Sequence, residues 1–63
     1  MTPQKMYHVL LVDDYEINLE LLETYLLRSR LPIQIYKALN GRQALHIAQT
    51  QTLDLILLDV MLP

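Results

Sequence analysis

Three short apolar runs rich in β-formers recur along this sequence with helix-length segments between them, and that alternation constrains the fold more than any other feature. The first run, Tyr7–Val12 (YHVLLV), is followed by two aspartates and reads as a buried strand. The second is Ile33–Ala38 (IQIYKA), with Ile33 and Ile35 alternating against Gln34. The third, Asp54–Asp59 (DLILLD), is nearly all apolar and ends in a carboxylate. Between the first two, Glu16 to about Arg30 carries Ile17, Leu21, Leu22, Tyr25 and Leu26 at the spacing of an amphipathic helix. Asp13 or Asp14 would cap that helix and Glu16 falls in its first turn. Leu31–Pro32 would end it, because proline cannot continue a helix and disfavours helical geometry in the residue before it. Asn40–Gly41 breaks the second strand and caps a second helix, Arg42 to about Thr50, with Ala44, Leu45 and Ala48 as its apolar side.

Strand, helix, strand, helix, strand predicts right-handed parallel crossovers. Strands that are apolar throughout predict a sheet covered by helices on both faces. The expected class is therefore α/β, with strand order 2-1-3, the opening of a doubly wound sheet. No repeat, low-complexity tract or linker interrupts the pattern, so residues 1–63 read as one small domain at most.

Composition agrees with a packed core: 52% of the residues are hydrophobic and 19% charged. A chain of 63 residues buries only about 60% of the surface that its unfolded form exposes. Chains of this size draw extra stability from disulfides, metals or partner chains. There is no cysteine, which excludes disulfides and thiolate metal sites and leaves the redox compartment open. With a net charge of −2 and no Lys/Arg cluster, the segment offers no electrostatic footprint for nucleic acid or an anionic membrane. Its apolar runs fall far short of the roughly 20 residues that span a bilayer. The start, MTPQKMYH, lacks the apolar stretch and cleavage site of a secretory signal. A soluble cytoplasmic protein is expected.

In the 2-1-3 order the first and third strands are neighbours, so Asp13–Asp14 and Asp59 meet at their carboxyl ends. That is the topological switch point, where open α/β sheets bind ligands. Carboxylates brought together repel, and desolvation raises the cost of their charged forms. A hard divalent cation resolves the conflict, and magnesium takes oxygen ligands while keeping several waters. A carboxylate on a stiff strand end is also a nucleophile suited to phosphorus, forming an aspartyl phosphate. The plainer alternative carries similar weight for each acid alone: Asp13–Asp14 as a helix-capping pair, Asp59 as a turn residue ahead of Pro63. Their convergence on one sheet edge, each after an apolar strand, favours the chemical reading.

These residues resemble a known family. LLVDD at the end of the first strand, ALNGRQAL with Gly41 and Ala44, and DVMLP after the third strand match, in order, the N-terminal half of the receiver domain of response regulators and hybrid histidine kinases. The match spans nearly the whole chain. DYEIN, with Asn18 in the first helix, is most similar to receivers fused to hybrid kinases. The resemblance implies a flavodoxin-like sheet truncated to β-α-β-α-β, and a bacterial two-component phosphorelay role. Asp59 would accept a phosphoryl group from a phosphohistidine of a histidine kinase or phosphotransfer domain. Asp13, Asp14, Asp59 and the main-chain carbonyl of Met61 would bind Mg2+, Asp14 more directly and Asp13 partly through water.

Receivers also place a Ser/Thr at the end of a fourth strand and a Lys at the end of a fifth, and both strands are missing from this chain. Lys5 and Lys37 match neither role. Full receivers catalyse their own phosphorylation and dephosphorylation; without the positive clamp, whose loss costs several kcal/mol by order of magnitude, enzymatic competence stays open. If the protein is truly truncated here, the third strand would be left as an apolar edge, from which self-association or segment swapping is expected. A haloacid-dehalogenase-like phosphatase would need a second aspartate at position 61, which is Met61. A dinucleotide-binding half-fold would need G-x-G-x-x-G where Asp13–Asp14 stands. A receiver-derived interaction module or kinase inhibitor that is never phosphorylated is the remaining alternative. His8 and His46 form no paired ligand set. Met6 and Met61 read as packing residues, and Tyr7, Tyr15, Tyr25 and Tyr36 as core or rim aromatics.

Overall fold

The computed structural model describes residues 5–58, which form β1 (Tyr7–Val12), α1 (Glu16–Arg28), β2 (Ile33–Ala38), α2 (Gly41–Thr50) and β3 (Leu55–Leu58). The three strands make one parallel sheet in the order β2-β1-β3, as the sequence predicts. β1 lies in the middle, with Tyr7–Val12 level with Ile33–Ala38 on one side and Val9–Val12 level with Leu55–Leu58 on the other.

Because side chains alternate along a strand, Val9, Leu11, Ile33, Ile35 and Leu57 share one face. There they pack against Leu19, Leu22 and Leu26 of α1. Leu10, Tyr36 and Ala38 belong to the opposite face, where α2 lies against β1 and β2. Leu10 and Leu11 are both wholly buried, one on each face, so β1 has the two-sided cover expected of a parallel strand. β3 departs from that expectation. Of its residues only Leu57 joins the core cluster beneath α1, and Leu55, Ile56 and Leu58 are 46% to 63% exposed.

The helix boundaries refine the sequence reading. α1 ends at Arg28, short of Arg30, because Arg30 takes a left-handed φ of 60°. A residue in that conformation cannot extend a right-handed helix. The face turned to the sheet is Leu19, Leu22 and Leu26, whereas Ile17, Leu21 and Tyr25 point to solvent. α2 starts one residue earlier than expected, at Gly41, with the Asn40 side chain accepting from the backbone N–H of Gln43 at 2.8 Å. Ala44 and Ile47 are its partly buried positions; Leu45 and Ala48 are exposed. No helix among the described residues is long and apolar enough to cross a membrane.

Candidate functional site at the carboxyl end of the sheet

The β1–β2 ladder continues one step past Val12, since the backbone N–H of Asp13 donates to the carbonyl of Ala38 at 3.1 Å. That bond ties Asp13 to the sheet just past the end of β1. Asp13 as a whole is only 4% exposed. Oδ1 accepts the backbone N–H of Tyr15 at 2.8 Å, so Asp13 closes an Asx turn that redirects the chain into α1. The residue at the helix cap is Tyr15, and its side chain makes no capping bond. The expectation of an aspartate cap is thus corrected: the ladder bond to Ala38 keeps Asp13 too far back to reach the free N–H groups of the first turn. Asp14, next in the chain, is exposed.

A buried charged side chain is stable only when polar partners or an ion compensate it. Asp13 satisfies this in part through Tyr15. With Asp14 beside it, the strand end offers, among the described residues, hard carboxylate oxygens and no sulfur or imidazole, the donor set that magnesium prefers over zinc. Among the described residues no group of three or more His, Cys, Asp or Glu side chains is placed to hold a metal ion. Asp59 and Met61, the other expected ligands, lie outside the described residues. What is described is the last step before Asp59: Leu58 lies level with Val12, which places the ends of β1 and β3 side by side.

A groove of about 420 Å³ runs from Asp13 between α1 and β3, lined also by Asn18, Leu21, Leu22, Tyr25 and Leu57–Leu58. It is apolar along its length and acidic at one end. Asn18 is partly buried there; the sequence offered it only as a subfamily mark, although a polar residue one turn into α1 was a signal that it faces the strand end. Lys37 is not near this set of acids in its bonding. Its Nζ pairs with Glu23 Oε1 of α1 at 3.0 Å. His8 and His46 are likewise apart, His8 stacking on Tyr36 at the opposite end of the sheet.

Comparison with known proteins gives concordant matches. The family model described as response regulator receiver domain matches residues 9–63. The probable transcriptional regulator ycf27 of Cyanidium caldarium is 40% identical over 60 residues, covering 95% of this chain and 23% of that protein. The response regulator SSK1 of Arthrobotrys oligospora is 41% identical over 56 residues, covering 89% of this chain and 5% of that protein. The chain thus spans a quarter or less of the length of these relatives. No solved structure matches it.

Proposed function

The chain belongs to the response regulator receiver domain family, and on that premise we propose that it is the acceptor in a phosphorelay, taking a phosphoryl group on Asp59 from a phosphohistidine of a histidine kinase or phosphotransfer domain. A carboxylate oxygen of Asp59 attacks phosphorus, the P–N bond breaks, and the imidazole leaves with its electron pair, giving an aspartyl phosphate. Mg2+ held by Asp13, Asp14, Asp59 and the Met61 carbonyl would neutralise charge on the phosphoryl oxygens. Within that set Asp13, its Oδ1 steadied by the Tyr15 N–H, would meet the ion partly through water, and the exposed Asp14 would meet it more directly. The observation that carries this reading is the pairing of Val12 with Leu58, which brings the buried Asp13 beside the strand that leads into Asp59. A cytoplasmic location follows from the same role.

Incubation with acetyl phosphate and magnesium is expected to add the mass of one phosphate to the peptide containing Asp59, and chelation with EDTA to prevent it. Labelling that survives chelation would contradict the metal role; labelling at another residue would contradict the acceptor assignment.

The outer edge of β3 is unpaired among the described residues and its side chains are apolar on both faces. Such an edge templates another strand, and we infer that residues 1–63, when no further strand of the protein covers this edge, self-associate through it. Sedimentation is expected to give a weight that rises with concentration. A folded monomer that persists at high concentration would refute the association.

A further inference from the structure

Asp54 stands at the opposite end of β3 from the proposed acceptor, yet it bonds β1 at two points. Its backbone N–H donates to the carbonyl of His8 at 2.8 Å, and its Oδ2 accepts the backbone N–H of His8 at 2.8 Å. A single residue at the entry to β3 therefore holds both backbone polar groups of one residue in the central strand.

His8 is itself a fixed point. Its ring stacks on Tyr36 of β2 with centroids 5.8 Å apart, and Nδ1 lies 2.9 Å from the Tyr36 hydroxyl. That hydroxyl donates to Oε1 of Gln51, at the end of α2, at 3.2 Å. Through His8, Asp54 is tied to β1, β2 and α2 together.

The strand that follows needs such an anchor. Leu55–Leu58 is apolar at every position, so side-chain alternation carries no register information: any slip still places Leu or Ile on each face. Only Leu57 of this strand joins the core cluster, while Leu55, Ile56 and Leu58 are exposed, so burial resists a slip weakly. A slip of one residue would move the strand end by about 3.3 Å and invert its faces; a slip of two would restore the faces and move it by about 7 Å. With Asp54 bound to His8, Leu55 falls level with Val9 and Leu58 with Val12.

We propose that Asp54 is a positioning residue for phosphoryl acceptance, whose clamp on His8 sets the register of β3 and so the step at which the strand passes into Asp59. The proposal rests on the reading of Asp59 as acceptor, and the test separates the two. Asp54→Asn keeps an acceptor oxygen for the His8 N–H, and Asp54→Ala removes it. In the isotope-labelled full chain, cross-strand NMR contacts between Leu11 and Leu57 are expected in the native protein and in Asp54→Asn. In Asp54→Ala they are expected to vanish or shift out of step, with labelling by acetyl phosphate and magnesium falling more than about tenfold, since a misplacement of ångström size suffices for that. Asp54→Asn should stay within about threefold of the native rate, because the clamp needs an acceptor rather than a charge.

Unchanged contacts and labelling in Asp54→Ala would overturn the proposal, as would equal losses in both variants. If Asp54→Ala fails to fold, amide exchange in the native chain decides. A His8 N–H protected like the ladder amides supports the clamp, and one that exchanges as a free amide overturns it. Absence of labelling in every form, with the register still shifted in Asp54→Ala, would refute the acceptor reading while the clamp stands.

Discussion

Asp59→Asn is expected to reduce the phosphate increment left by acetyl phosphate and magnesium to background. The substitution is nearly isosteric and follows directly on Leu58, so β1–β3 pairing should persist; what it removes is the anionic oxygen that attacks phosphorus. An amide oxygen is a far weaker nucleophile than a carboxylate oxygen. Loss of one of the carboxylates also weakens magnesium binding, so the measurement is made with metal in large excess to separate attack from metal affinity. Mass spectrometry of the intact chain and of its C-terminal peptide provides the readout. Labelling that persists in Asp59→Asn would sink the acceptor assignment. A native chain that takes no label yet binds a histidine kinase would favour the interaction-module reading instead, with the exposed Ile17, Leu21 and Tyr25 of α1 as the docking face.

Leu11→Ala is expected to abolish cooperative unfolding of the isolated 63-residue chain. Leu11 has no exposed surface and sits in the cluster formed by Val9, Leu19, Leu22, Leu26, Ile33, Ile35 and Leu57. Truncating a buried leucine costs about 2–5 kcal/mol, and a domain of this size rarely holds more than about 3–5 kcal/mol. The loss therefore consumes most or all of the net stability. Ile17→Ala is the matched control: Ile17 is 70% exposed on α1, and its truncation should shift stability by no more than about 0.5 kcal/mol. Urea titration followed by circular dichroism separates the cases. A Leu11→Ala chain that keeps a native transition midpoint would show that the β1–α1 interface does not hold the fold together.

Much of this architecture is written in local pattern. The bounds of β1 and β2 agree with the apolar runs Tyr7–Val12 and Ile33–Ala38 to the residue, and Asn40 caps α2 as an asparagine before a glycine suggests. α1 was less legible. Its leucines and isoleucine occur nearly all the way round the helix, so more than one apolar stripe can be drawn through EINLELLETYLLR. Two stripes share Leu22 and Leu26; docking on Val9 and Leu11 selected the one that contains Leu19 and left Ile17, Leu21 and Tyr25 outside. Asp54 was invisible in another way. In the sequence it looks like the first residue of an apolar strand, and only the folded chain brings it to His8, 46 positions away.

The order of elements, the parallel sheet and the acids that follow its strands were determined by the sequence, because hydrophobic period and chain-breaking residues act over a few neighbours. The rotation of α1, the burial of Asp13 in an Asx turn and the anchoring of β3 through Asp54 were decided by tertiary structure. Local pattern specifies which element forms, but its azimuth and register depend on contacts between residues far apart in the chain.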